Sequence, residues 1–243
     1  MTASDPQIVL TIDTATDTVV TGLARVTSLP SPAPEVRVVA SRAVADGRRH
    51  AEILTSLIAE VLDEAAVARD QIDAVVVGTG PGPFTGLRVG MATGAAFGDA
   101  LDIPVLGVCS LDAIAHDAGC AVATGTTVLA LTDARRREVY WALYGDGGRI
   151  RERGPEVSAP GVVAELFGLG RIDAVGGSAA HLRQSGWEGD DPTVTVPSVG
   201  GLAAAAVPLL AGGARPGPLV PLYLRRPDAV ERNDQRPKAV NAS

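Results

Sequence analysis

The chain has 243 residues, of which 46% are hydrophobic, 20% charged and 3% aromatic. That is enough apolar mass for one or two cored domains and too much for a disordered chain. A net charge of −7 argues against a free-standing nucleic-acid binder, which needs a basic surface, and so few aromatics argue against base-stacking platforms.

Two cysteines, Cys109 and Cys120, make neither a disulfide framework nor a zinc cluster and fit a reducing compartment. The start, Met1-Thr2-Ala3-Ser4-Asp5, has no basic region and no apolar run, so no signal peptide is expected. The longest uncharged stretch, Pro192 to Ala214, is broken by Pro197, Gly200, Gly201, Pro208, Gly212 and Gly213. A membrane span is therefore not expected, and the compartment expected is the cytoplasm.

In chain order, Ile8 to Ile12 reads as a buried strand ending at Asp13, and Thr18 to Ala24 as a second. A loop stiffened by Pro30, Pro32 and Pro34 leads to a third, Val36 to Val44. Ala51 to Ala66 reads as a helix, with Leu54, Leu57, Ile58, Val61, Leu62 and Ala65 at helical spacing. A strand Ile72 to Val77, a Gly/Pro loop, a helix Thr85 to Leu101 and a strand Ile103 to Val108 complete a β-β-β-α-β-α-β order. The second half reads as a diverged copy. Thr127 to Asp133 mirrors the opening strand and its terminal aspartate, Glu138 to Tyr144 mirrors the second strand, and Ile172-Asp173-Ala174-Val175 repeats Ile72-Asp73-Ala74-Val75. Similarity among buried strands is the competing explanation. Ser198 to Ala211 reads as a late helix.

The run from Gly78 to Arg88, GTGPGPFTGLR, joins a strand to a helix. Its glycines permit positive φ and close approach, and Thr85 can cap the helix, whose N-terminus favours an anion. It is neither a Walker loop nor G-x-G-x-x-G, and Pro81 and Pro83 lack N–H donors. A rigid turn and a ligand loop both fit. Behind it, Gly86, Gly90, Gly94 and Gly98 recur every fourth residue. Each costs about 1 kcal/mol against alanine in a helix, so close packing against the first helix, the sheet or another subunit must offset them.

Asp13 and Asp133 each end a strand. They fit either carboxylates holding a metal-phosphate across a cleft or turn-forming aspartates. Gly176-Gly177 fits a backbone open to a flat ring or an ordinary turn. Arg135-Arg136-Arg137 fits a phosphate contact or a solvated turn. His50, His116 and His181 have no metal-ligand spacing, and no G-x-S-x-G elbow exists. A peptidase reading therefore lacks its chemistry.

Taken together, Leu10 to Thr16, Gly80 to Gly90, Gly107-Val108, Asp133-Ala134-Arg135 with Glu138-Val139-Tyr140, and Pro221 to Arg225 resemble the TsaB (YeaZ) family. These are partner subunits of the bacterial tRNA threonylcarbamoyladenosine machinery. The resemblance implies an α/β fold of two tandem RNase H-like lobes with mixed sheets, of the actin, Hsp70 and sugar-kinase superfamily. It places the first lobe at 1–108, a smaller second lobe at 109–226 whose last segment packs back on the first, and a flexible tail at 227–243. No fused acetyltransferase domain is expected.

The resemblance also implies a role. Such subunits pair with the transferase TsaD, and through it with the ATPase TsaE, to modify N6 of adenosine 37 in tRNA, and do not perform the transfer. TsaD carries a metal-binding H-x-x-x-H after a Pro-Leu-Ile-Gly-Val strand. Here Ser110 and Ile114 stand at the histidine positions of the matching stretch, Ile103 to Ile114, so no catalytic residue, metal or resident cofactor is expected. The family contact is made by the first-lobe helices, matching His50 to Ala66 and Thr85 to Leu101. The interface residues implied are Leu54, Leu57, Ile58, Val61, Thr85, Gly86, Gly90 and Gly94. A residual nucleotide site would use Asp13, Thr14, Gly80, Gly82, Asp133, Gly176 and Gly177. The isolated chain is expected to form a homodimer, and tRNA is expected to be met only through the complex. An independent ATP-binding phosphotransferase is the alternative function, and a peptidase comes last.

Overall fold

The computed structural model describes residues 6–27, 34–46, 49–168, 170, 172–211 and 217–225. The expected tail at 227–243 and the loop around Pro30 and Pro32 lie outside the described residues.

The first sheet has the order β3-β2-β1-β4-β5, built from β1 (Gln7–Asp13), β2 (Thr18–Thr27), β3 (Glu35–Ala45), β4 (Ala74–Gly78) and β5 (Val105–Val108). β1, β2 and β3 form an antiparallel meander, while β4 and β5 add in parallel. Parallel neighbours need crossover connections. These are the helices α1 (His50–Ala65) and α2 (Phe84–Leu101). α1 forms because Leu54, Leu57, Ile58, Val61 and Leu62 share one face, and it ends where Ala66 turns left-handed at φ 51°. That face lies on Leu10, Ile12, Leu23 and Val75 of the sheet. Each such side chain contributes roughly 1.5–3 kcal/mol of burial.

α3 (Ser110–Gly119) leads into a second sheet of order β8-β7-β6-β9, from β6 (Val128–Asp133), β7 (Val139–Gly145), β8 (Ile150–Ser158) and β9 (Ala174–Gly177). α4 (Pro160–Gly168) and α5 (Ala179–Gln184) cover one face, and α3 covers the other. The last helix, α6 (Val199–Ala211), returns to the first sheet, where Val199, Leu202, Ala203 and Ala206 pack on Val9, Val20 and Val26.

The two sheets share the order third-second-first-fourth strand, and the repeat extends to single hydrogen bonds. The Asp73 carboxylate accepts from Ile8 N–H at 2.6 Å, and Asp173 accepts from Thr127 N–H at 2.7 Å. Asp13 accepts from Ala15 N–H at 2.8 Å, and Asp133 from Arg135 N–H at 2.6 Å. Four aspartates thus fill two structural roles, each used twice. This carries duplication further than strand similarity does.

Candidate partner surface and interlobe cleft

Asp13 lies inside the first lobe. It is fully buried and accepts a hydrogen bond from the Ser110 hydroxyl at 2.5 Å as well as from Ala15 N–H. Burial pushes its carboxyl up to about 6, against the lowering effect of the Ser110 and Ala15 hydrogen bonds and the charge of His50. Gly78 seals it in, because a Cβ there would sit 1.8 Å from the Asp13 carboxylate and 2.8 Å from the Ser110 hydroxyl.

The other first-lobe residues expected at a nucleotide are also turned inward. Thr14 donates to Gly86 C=O at 2.8 Å and accepts from Gly90 N–H at 3.1 Å, so it pins α2 to the end of β1. A Cβ at Gly82 would lie 2.1 Å from Ala15 C=O, and Gly80, at φ +95°, meets Leu87. In the second lobe, Gly176 packs on Ile114 and Gly177 lies against Leu131 C=O. Of the residues expected at a nucleotide, Asp13, Thr14, Gly80, Gly82, Gly176 and Gly177 are thus all buried. At the four glycines the direction a side chain would take is filled by the protein's own atoms.

Asp133 alone of that set lines the interlobe cleft, a cavity of about 280 Å³ bounded by Ala15, Asp17, Pro83, Thr132, Ser178 and Val196, among others. Arg135 spans its mouth, pairing with Asp17 at 2.6 Å and Asp133 at 3.2 Å. This accounts for one arginine of the run Arg135–Arg137, all three of which have positive φ. Scattered in sequence but joined here, Ser178 Oγ lies 2.8 Å from His181 Nδ1, whose Nε2 lies 3.4 Å from Asp133. Sequence reading missed this Ser–His–Asp string because Asp133 sits far along the chain from the other two. The backbone N–H of Ser178 is committed to Leu131 C=O at 2.9 Å. The serine therefore brings no oxyanion donor of its own, and the string serves to hold the start of α5 to the end of β6.

The positions compared with the transferase histidines are also internal. Ser110 opens α3 and is bonded to Asp13, and Ile114 is fully buried in the second core. Neither an aliphatic side chain nor a hydroxyl given to a carboxylate is a metal ligand.

The expected interface set divides in two. Leu54, Leu57, Ile58 and Val61 are buried against the first sheet. The glycine stripe faces the same way, since a Cβ would meet Thr14 at Gly86 and Gly90, Val77 at Gly94 and Val105 at Gly98. These seven residues of the expected set (the four apolar side chains with Gly86, Gly90 and Gly94) form the seat of the helices and not their outer face. Thr85 is exposed, but it is not the cap. Pro83 holds the N-cap position and no side chain caps the helix. What the helix pair presents outward includes several short, uncharged side chains, namely Ala51, Thr55 and Ala59 on α1 and Thr85, Ala92 and Ala96 on α2.

At the start of α2, the Phe84 and Tyr223 rings stack at 5.0 Å, and the Arg88 guanidinium lies 3.9 Å over Phe84. Tyr223 belongs to a strap, residues 217–225, that crosses both lobes. Leu222 N–H donates to Thr79 C=O at 2.9 Å, and Arg225 donates to Ala134 C=O at 2.7 Å and pairs with Glu138.

Two duplicated mixed sheets, a central α3 and a returning α6 define an α/β protein of two RNase H-like lobes. A family model described as "TsaD: tRNA N6-adenosine threonylcarbamoyltransferase" matches residues 38–170. An uncharacterized protein of Mycobacterium tuberculosis is 48% identical over 221 residues, covering 91% of this chain and 93% of that one. The tRNA threonylcarbamoyladenosine biosynthesis protein TsaB of Haemophilus influenzae is 39% identical over 97 residues, 39% of this chain and 40% of that one. A Pseudomonas aeruginosa crystal structure, described as an uncharacterized protein with similarity to peptidase YEAZ, is 25% identical with a TM-score of 0.69, covering 90% of this chain and all of that one. The chain belongs to the TsaB (YeaZ) family, whose members share the TsaD-type fold.

Among the described residues no helix is long and apolar enough to cross a membrane.

Proposed function

We propose that this chain takes part in threonylcarbamoylation of tRNA adenosine 37 as a non-catalytic subunit that binds and activates a TsaD-type transferase. TsaE and tRNA would be met through that complex, in the cytoplasm. The observation that carries the reading is the state of the two positions compared with the transferase's metal-binding histidines. Ile114 is fully buried in the hydrophobic core of the second sheet, and Ser110 is bonded to a buried carboxylate. A chain that keeps the transferase fold without its metal ligands has the scaffold to dock beside the transferase but not the chemistry to replace it. The outer face of α1 and α2, with its short side chains, suits close helix-to-helix approach.

Reconstitution tests this. Transferase, ATPase and unmodified tRNA from the same organism are incubated with threonine, bicarbonate and ATP, with and without this chain, and modified adenosine is measured by mass spectrometry. Product is expected only when this chain is present, and none from this chain without the transferase. Full modification in its absence would overturn the proposal.

A further inference from the structure

A second cavity, of about 900 Å³, also draws its walls from both lobes. Its floor is α3, one wall is the end of β7 with the turn into β8, and the other is α6 with the start of β3. The two walls differ in chemistry. Ala204, Ala205, Val207 and Pro208 of α6, with Pro34 and Val36, carry no polar side-chain atoms, whereas Tyr144, Arg149 and Arg151 stand on the other side. The turn that carries Arg149 is seated on α3 backbone to backbone. A Cβ at Gly148, where φ is +83°, would lie 2.0 Å from Ala115 C=O, and one at Gly119 would lie 1.8 Å from Gly147 C=O.

The charges around this cavity leave one cation over. Asp112 is met within the protein, accepting from Tyr144 Oη at 2.8 Å and lying 3.6 Å from Arg151. Asp117 is hydrogen-bonded at Ser198, just before α6, and its Oδ2 is buried where a Cβ at Gly201 would come within 2.5 Å. His116 is uncharged near neutral pH, because burial and then the Arg149 charge push its imidazole below the ordinary value. Arg149 remains. Its Nη1 donates to Asp146 C=O at 3.2 Å, and among the described residues no carboxylate pairs with it. We infer that this cavity binds an amphipathic organic carboxylate, with its head on Arg149 and its apolar body along α6. A carboxylate fits the planar guanidinium fork, and its single charge matches the single spare cation. A dianionic phosphate is disfavoured by Asp112 and Asp117 on the floor. The apolar body would take the Val207 and Pro208 surface out of water, and the volume is in the range of small-molecule sites. Since α6 packs on the first sheet and Arg149 belongs to the second lobe, the ligand would tie the lobes together. Among the described residues none of α1 or α2 lines the cavity, so the inference does not rest on the transferase reading.

The test is calorimetric titration of the full chain with decanoate, decanol and acetate, as wild type, Arg149→Glu and Ala204→Trp, with circular dichroism confirming folding. Decanoate is expected to bind saturably, and decanol, which lacks the charge, and acetate, which lacks the body, about tenfold more weakly or worse. Arg149→Glu is expected to weaken decanoate about tenfold or more, and Ala204→Trp to abolish binding by filling the cavity. Should the tryptophan variant unfold, Arg149→Glu still decides, since its side chain is exposed. Location is read separately. Cys120 lines the same cavity and is exposed, whereas Cys109 is buried, so decanoate is expected to slow alkylation of Cys120 by iodoacetamide in wild type and not in Arg149→Glu. No saturable binding of decanoate, decanol binding as tightly, an affinity indifferent to Arg149→Glu, or unprotected Cys120 would each overturn the inference.

Discussion

Replacing Asp13 by asparagine tests whether the buried carboxylate is held at a cost. Its pKa is raised from 3.8 to about 6 by complete burial, with the Ser110 and Ala15 hydrogen bonds opposing the rise. Because the folded-state value lies above the unfolded one, this group's contribution to stability is fully present below about pH 4 and is lost as pH climbs through 6. A rise from 3.8 to about 6, at about 1.36 kcal/mol for each pH unit, makes that loss roughly 3 kcal/mol by about pH 8. An asparagine in this place does not titrate, and its amide can accept from Ala15 N–H and donate to the Ser110 hydroxyl. The stability of Asp13→Asn relative to wild type is therefore expected to improve by roughly 3 kcal/mol between about pH 4 and pH 8, on top of a constant offset of about 1–2 kcal/mol from altered hydrogen bonding. Urea unfolding of both proteins at about pH 4, 6 and 8 measures this directly. A difference that stays flat across the range, or that moves against the variant as pH rises, would refute the reasoning.

The remaining expectations concern packing, thiols and ligands. Gly90→Val places a branched side chain where even a Cβ would lie 2.4 Å from Thr14 Oγ1. It should destabilise by about 1–3 kcal/mol or more, seen as an earlier thermal melt, and an unchanged melting temperature would contradict the inward-facing stripe. Cys120 is exposed, whereas Cys109 is buried and its thiol is pushed up to about 12 by burial, with Asp112 adding to the rise. One equivalent of thiol reagent should therefore react quickly with the native protein and a second only after unfolding, and two fast equivalents would count against this. Calorimetry with Mg-ATP should be silent in the millimolar range, because six of the seven residues expected at a nucleotide face the protein interior. Measurable heat of binding abolished by Asp133→Ala would revive the phosphotransferase alternative.

How far the sequence could be read followed from periodicity and distance along the chain. β1, β4, α1 and α2 were legible because their apolar residues recur with the period of the element that buries them. β8 was not, since Ile150-Arg-Glu-Arg-Gly-Pro-Glu-Val-Ser is a charged edge strand with little to bury. α3 did carry a helical signal in Leu111, Ile114, Ala115 and Ala118, but it is only ten residues long and directly follows a strand. Most of the interface set fell on buried positions for a physical reason. Choosing the most apolar residues of a helix selects those facing its own core, whereas the alanines and threonines of the outer face give no hydrophobic signal. The Asp13–Ser110 contact spans 97 residues. Spacing alone could propose Asp13 as a cleft ligand, but only the fold reveals Gly78 and Ser110 enclosing it.

The central claim, docking of a TsaD-type partner on the outer face of the first-lobe helices, is tested most directly by Ala96→Arg. Ala96 is exposed in the outer half of α2, so the substitution leaves the core intact while placing a long cation where close helix approach is required. Wild type and variant would each be mixed with the transferase from the same organism and analysed by size-exclusion chromatography with light scattering. The account predicts a stable complex for wild type and its loss in a variant that melts at the wild-type temperature. An undiminished complex with Ala96→Arg, or no complex with either protein, would contradict it.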